Sequence, residues 1–479
     1  MVDIIDRLDA LPASQQRELG AVLAQRGAEF NVYPLSYAQW RMWFVTRMHG
    51  AAPVYTVPYA FALTGQLDVA ALDQAVQAVV RRHDALRTVF FDVDGDAYQM
   101  VRPALEIPLG VRRWRAQDAA NSQLVRTLVE AEAQRTFDLR HGPLLVANVL
   151  TCDAGQHLFL LTLHHIVCDG WSMGIIFHEL EEFYRAALDG RTPDLPPLPM
   201  RYVDFARWQA ATLSGQPLER QLDYWRGMLA GAPDTTTFPG LLRSDEPPST
   251  APAHIGESEL ESWPAALARS VEEYSRHASV TPFITMLAAF AAVLHHRAGL
   301  RDFVVGTPVA NRNRLELEHL VGFFVNMLPL RLRPAGTMTF RELVQHAREV
   351  SLGAQANQDI PFEMLVEQLA PHRQGSGNPL FEICFAVEEP DTQTLRLPGL
   401  DVSLVQGRNG TVKFDLTVAF VLLEAELKAS ADYRPSRLRR AQVQALLAAT
   451  RRLLERAIAA PDEPLARLAG EVPDAERAS

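Results

Sequence analysis

HLFLLTLHHIVCDGWSMGI, residues 157–175, decides the fold. Its apolar run is too short for a free-standing core helix and is bounded by Asp169-Gly170, so residues 157–166 read as a strand. Beyond it, Ser172 is placed to cap a helix with apolar positions Ile176, Leu180, Phe183, Tyr184 and Ala187, ending near Gly190. Two adjacent histidines therefore stand where a strand hands over to a helix. Neighbouring strand residues point to opposite faces, so His164 and His165 diverge. One is expected to support the site from inside and the other to face a cleft. The same divergence argues against a metal site, which needs i,i+2 on a strand or i,i+4 on a helix. The expectation is no metal.

Cys168 reads as a small buried thiol rather than a nucleophile. A single imidazole near neutral pKa then acts as a base or as a positioning group. Asp169 is read as a loop anchor paired to an arginine. Gly170 is read as permitting a backbone shape that other residues resist. The helix N-terminus points its positive end at the same spot, which favours a developing oxyanion.

Around this stretch, strands and helices mix without a regular alternation. VYTVPYAFALTGQ (54–66) reads as a strand, and Leu67, Leu72, Val76, Val79 and Val80 mark one helix face after it. Residues 87–101 read as a hairpin turning at Asp94-Gly95, and 143–150 as another strand. Proline-rich DGRTPDLPPLPM (189–200) reads as an extended crossover between two halves, and 234–256 as a further connection. In the second half Thr281 and Pro282 open the apolar helix 282–294; 303–310, 323–332 and 416–430 are strand-like, and 436–458 is an amphipathic helix. Ile4, Ile5, Leu8 and Leu11 keep helical spacing until Pro12, and a thinner stripe of Leu19, Val22 and Leu23 follows. The expected division is leader helices at 1–30, an N-terminal lobe at 31–200, a C-terminal lobe at 201–465 and a linker at 466–479.

The net charge of -11 argues against a general nucleic-acid binder. Three cysteines without a CxxC spacing indicate neither a disulfide framework nor a cysteine zinc site. The N-terminus lacks a basic segment before an apolar core, and the run 282–294 is too short to span a bilayer. The expectation is a cytoplasmic monomer with neither nucleic-acid nor membrane partners.

HHIVCDG (164–170) fits the HHxxxDG pattern of nonribosomal peptide synthetase condensation domains, and the chain resembles that family along about residues 33–465. LSYAQWRMWF (35–44), RHDALRTVF (82–90), YVDFARW (202–208), GTPVANR (306–312), VGFFVN (321–326), NQDIPFE (357–363), RQGSGNPLF (373–381) and KFDLTV (413–418) resemble its other motifs in order. Two positions depart: Asp84 stands where glutamate is usual, and Asn357 replaces a histidine, which excludes titration there.

The resemblance implies an α/β fold: two chloramphenicol-acetyltransferase-like lobes forming a V-shaped pseudo-dimer around a central tunnel. It implies peptide-bond formation between a donor aminoacyl or peptidyl thioester and the amine of an acceptor aminoacyl thioester. Both ride on 4'-phosphopantetheine arms of donor and acceptor carrier proteins, and the domain itself binds no cofactor. The tail PDEPLARLAGEVPDAERAS resembles a linker to an adenylation domain. The implied catalytic residues are His165 and Gly170, the latter through its backbone amide. His164, Asp169 and Arg312 support the site, with Arg312 as the partner of Asp169. Trp171, Ser172, Asn326 and Asn357 line the tunnel. Arg87 and Asp204 are structural; Arg41 and Trp43 serve in packing or against substrate.

Rival readings are an epimerisation domain, a stand-alone acyltransferase with a free amine or alcohol acceptor, and an idle carrier-docking platform. NQDIPFE and VGFFVN favour condensation over epimerisation, and the intact HHxxxDG argues against an idle platform. YTVPYAFALTG (55–65) is similar to D-donor domains and LERQLDYWRGMLAGAP (218–233) to L-donor domains; the L-donor reading is taken.

Overall fold

The strand Gln156–His164 lies inside a five-stranded sheet, between Thr56–Gly65 and Leu145–Thr151. Its residues are buried on both faces, which is why its sequence is an apolar run rather than an alternation. Phe159, Leu161 and Leu163 pack with Leu72 and Val76 of the helix Val69–Arg82 and with Ile176, Phe177 and Leu180 of the helix Gly170–Asp189. Leu158 and Leu160 face the other way, onto Val129 of the helix Ser122–Ala133. Phe61 and Phe177 meet edge-to-face at 5.2 Å, a contact of about 0.5–1.5 kcal/mol beyond area burial.

The computed structural model describes residues 11–49, 52–119, 121–233, 254–369, 378–388, 394–405, 407 and 409–469. The expected helix at Ile4, Ile5 and Leu8, most of the connection 234–256, the RQGSG half of RQGSGNPLF and the tail from 470 lie outside the described residues.

The chain forms two compact units. The first comprises Met1–Ser214, Ala310–Val325 and Asp391–Asn409; the second comprises Gly215–Val309, Asn326–Pro390 and Gly410–Ser479. This differs from the expected division at 200. The helix Tyr202–Thr212 belongs to the first unit because Tyr202 and Phe205 bury themselves against Ala85, Leu317, Leu320 and Phe324. Likewise Leu400–Val405 supplies an edge strand of the first sheet, antiparallel to Thr56–Gly65. The leader is also corrected: Leu19 and Leu23 of the helix Ala13–Arg26 pack on Val32, Val89 and Tyr98, so this helix is part of the first unit. At the other end, Leu465 and Leu468 are buried in the second core, which moves the start of any linker past them.

In the second unit a six-stranded sheet runs Asn326–Leu332, Phe303–Val309, Ile383–Glu388, Leu416–Leu422, Glu426–Tyr433 and Glu257–Pro264. The expected strand 323–332 is shorter, because residues 323–325 belong to the first unit, where Gly322 and Phe324 bond to Ser172 and Asp169. The helix Pro282–Ala298 is apolar because it is interior, packed against Phe340–Ala356 and Arg440–Ala459. Thr281 caps it through Ile284 N–H, with Pro282 in its first turn. Among the described residues no single helix is long and apolar enough to cross a membrane.

One buried charge in this unit makes stability pH-dependent. Glu382 precedes the strand Ile383–Glu388, and burial, aided by the charge of Asp415, pushes its carboxyl up to about 7 from an ordinary 4.5. One of its oxygens has no hydrogen-bond partner among the described residues. The folded chain therefore holds a proton that the unfolded chain releases, so stability is fully present below about pH 4.5 and is lost as pH rises through 7. Glu382→Gln should flatten that loss, stabilising the unit by ~3 kcal/mol at pH 8 while changing little at pH 4.5. Denaturant midpoints across pH 4–8 test this; identical slopes in both proteins would refute it.

Candidate active site

The strand ends at His164, two residues short of the expected 166, because His165 opens a 3-10 turn, His165–Val167. This turn, added to strand alternation, separates the two rings. His164 is buried, accepts from the Ile166 amide at Nδ1 (3.2 Å), and lies edge-on to Phe137 at 6.0 Å. Its ring is packed in the interior. His165 is half-buried, and its Nδ1 stands 2.7 Å from the Cys168 carbonyl. A carbonyl only accepts, so Nδ1 carries the hydrogen and the neutral ring holds its lone pair on Nε2. Phe323 meets the same ring edge-on at 4.9 Å. Cys168 is fully buried, its thiol turned to the His164 carbonyl at 3.7 Å.

Asp169 caps the helix Gly170–Asp189, accepting from the Ser172 amide at 2.8 Å. This corrects the expectation that Ser172 is the cap. Arg312 Nη2 donates to both Asp169 oxygens, at 3.1 and 3.4 Å, and to Ser172 Oγ at 2.9 Å. Its Nη1 reaches the Leu317 and Leu320 carbonyls at 2.6 and 2.7 Å, and its guanidinium lies 4.0 Å over the Phe324 ring. Burial lowers the Arg312 pKa below its ordinary value, and the charge of Asp169 opposes that shift. Phe324 N–H completes the cage by donating to Asp169 Oδ2 at 3.0 Å. The two side chains form a buried ion pair, at most 1% exposed.

Gly170 is corrected in its reason. Its φ is not in the left-handed region, and a Cβ there would meet nothing within 4 Å. Glycine therefore leaves open space rather than relieving strain. Gly170 is the first residue of its helix, so its amide has no intrahelical acceptor and points with the helix's positive end.

Two lining expectations do not survive. Ser172 is fully buried, its hydroxyl shared among Asp169, Arg312 and the Gly322 carbonyl. Asn326 is used up internally: its amide donates to the Gln358 and Ile360 carbonyls at 2.9 and 2.7 Å, and its oxygen accepts from the Met327 and Phe362 amides. Asn357 ends the helix Phe340–Ala356, donating to the Gly353 carbonyl and accepting from the Trp225 indole. Trp171 keeps an exposed face, with its indole N–H on the Glu318 carbonyl at 2.9 Å. His164, His165, Asp169, Gly170, Trp171, Ser172 and Arg312 thus come together in the first unit, while Asn326 and Asn357 belong to the second. Arg87 holds Asp84 and the Val80 carbonyl, and Asp204 holds Arg201; both are structural. Trp43 is buried, with the Arg47 guanidinium 4.9 Å from its ring centre. Sequence reasoning missed Phe323, Phe324 and Tyr202 as site residues, although each stands in a quoted motif.

A family model described as a condensation domain matches residues 29–479. This chain belongs to that family. One of the subunits of linear gramicidin synthase from Brevibacillus parabrevis is 40% identical over 405 residues, covering 84% of this chain. The chain spans only 5% of that protein's length. The first condensation domain of the calcium-dependent antibiotic synthetase, solved with a substrate analogue, superposes with a TM-score of 0.76 at 22% identity, covering 91% of this chain and 98% of that one. The teicoplanin X-domain in complex with OxyB gives 0.80 at 24% identity, covering 91% and 95%; at such identity the likeness is one of fold. The fold is therefore that of condensation domains. Condensation domains of nonribosomal peptide synthetases form amide bonds, and the epimerisation, stand-alone and idle readings are not favoured.

Proposed function

We propose that this condensation domain transfers an aminoacyl or peptidyl group from a donor carrier's phosphopantetheine thioester to the α-amine of an acceptor carrier's aminoacyl thioester. The amine nitrogen attacks the donor carbonyl, the C–N bond forms, the C–S bond breaks, and the donor arm leaves as a thiol. The amine must shed a proton. One observation carries the reading: the hydrogen bond from His165 Nδ1 to the Cys168 carbonyl, which puts the ring's lone pair on Nε2. That nitrogen accepts the proton or orients the amine.

A thioester is already activated, so no covalent nucleophile is required, and Cys168 supplies none. The Gly170 amide, at the positive end of its helix, is placed to steady a developing oxyanion. The space in front of Gly170 suits passage of a slender arm. On the surface of the first unit, Trp40 and Phe44 are exposed and stacked at 5.4 Å, an aromatic face suited to carrier docking. The multidomain relatives support carrier proteins and an adjacent adenylation domain as partners.

The test is transfer between two loaded carriers, read by intact-protein mass spectrometry with D- and L-donor thioesters. The acceptor carrier should gain the donor mass with the full domain present and not without it. Acceptor mass that stays unchanged with donors of either configuration would overturn the proposal.

A further inference from the structure

The geometry points to Tyr202 as a positioning residue that holds His165 in its reactive orientation through the Phe323 loop. The inference rests on the reading of His165 as the reacting imidazole. Tyr202 opens the helix Tyr202–Thr212 and acts on the histidine through Phe323. Its hydroxyl donates to the Phe323 carbonyl at 2.5 Å. The Phe323 ring is the one packed edge-on to His165. So the Tyr202 hydroxyl fixes the backbone from which the His165 contact hangs.

Three further observations agree. First, the tyrosine ring occupies the place of a side chain at residue 322: a Cβ on Gly322 would collide with Tyr202 Cδ2. The glycine of VGFFVN is thus explained by close approach of this ring. Second, the hydroxyl is itself held by a directed chain. The Gln39 amide donates to Ser36 Oγ at 3.1 Å, and Ser36 Oγ is 2.8 Å from Tyr202 Oη. With Tyr202 donating onward to a carbonyl, Ser36 must be the donor to Tyr202, and bonds aligned this way polarise one another. The Gln39 side chain is itself fixed, donating from Nε2 to Gln99 Oε1 at 3.2 Å and accepting at Oε1 from the Ser36 amide at 3.0 Å. Third, burial raises the Tyr202 phenol above its ordinary range, so it stays a donor.

The remaining ties of the loop converge on Asp169 and Ser172. Phe324 N–H reaches Asp169, and Gly322 N–H reaches Ser172 Oγ at 3.1 Å. These two fix the residues on either side of Phe323, and Tyr202 fixes Phe323 itself. Without the Tyr202 bond, the Phe323 carbonyl is buried without its donor, and the peptide turns to find one. The ring then lifts from His165, which is free to rotate off the Cys168 carbonyl and to populate its other tautomer.

The experiment compares wild type, Tyr202→Phe, Ser36→Ala and His165→Ala as full chains. Tyr202→Phe keeps the ring that fills the space at Gly322, so the fold should persist. Its kcat should fall about tenfold with KM for both carriers within about twofold, as one buried hydrogen bond is lost. Ser36→Ala, which leaves the tyrosine ring untouched, should lower kcat in the same way by about threefold. Nitrogen-15 NMR of His165 should show the Nδ1–H tautomer in wild type and a mixture in Tyr202→Phe, which mere loss of stability does not produce. Full kcat, or an unchanged tautomer, in Tyr202→Phe would overturn the inference. Full turnover in His165→Ala would overturn the reading of His165 instead, and the tautomer measurement, which needs no turnover, judges Tyr202 separately.

Discussion

His165→Ala should leave the fold intact and lower transfer between loaded carriers by about 10²–10⁴-fold, the usual worth of a positioned proton acceptor. The ring is half-buried, and its removal leaves His164, Asp169 and Arg312 with the hydrogen bonds that hold the site. Residual turnover is expected, because holding two thioesters together supplies rate without any imidazole. The pH profile separates the two roles open to His165. A base needs its ring unprotonated, so the wild type has an acid limb that the variant lacks. A positioner leaves both proteins on one limb, that of the acceptor amine, which ordinarily titrates at about 7.7–8.0. Wild-type turnover in the variant would remove His165 from the mechanism.

How far the sequence speaks depends on whether a residue's type limits its surroundings. Six nearly unbroken apolar positions next to a turn have few homes other than an interior strand, and Gln156–His164 is one. A buried aspartate needs a cation, so Asp169 could be read as ion-paired, and Arg312 is its partner. Ser172 and Asn326 carry no such constraint. Small polar residues serve equally in a tunnel wall or in an internal network, and both turn out internal. Long-range ties leave no trace in local spacing: Tyr202 and Phe323 are 121 residues apart. The edge strand Leu400–Val405 is short and buries none of its residues fully, so its pattern is too weak to reveal that it rejoins the first sheet. The contiguous lobes expected from the proline-rich crossover fail for the same reason. Composition marks where the chain is extended, whereas packing decides which unit a segment joins.

Asp169→Asn should destabilise the first unit by about 3–5 kcal/mol and slow transfer as well. In the native site the carboxylate takes Arg312, the Ser172 amide and hydroxyl, and the Phe324 amide, all as an acceptor. An asparagine of the same shape must direct its NH₂ group at another donor, Phe324 N–H or Arg312, and it leaves the Arg312 charge buried without its counter-charge. The Leu317 and Leu320 carbonyls and the Phe324 ring still hold the guanidinium, so the cage loosens rather than empties. The chemical consequence runs through one peptide unit: Cys168, whose carbonyl fixes the His165 tautomer, is bonded directly to residue 169. Stability and turnover should therefore fall together, unlike in His165→Ala, where turnover falls alone. Calorimetric unfolding of both variants, beside Arg312→Met and the double variant, checks this. Arg312→Met should cost as much as Asp169→Asn, because each strands one buried charge, and the double variant should cost less than their sum. An Asp169→Asn protein that unfolds at the wild-type temperature would refute the anchor, whatever its activity.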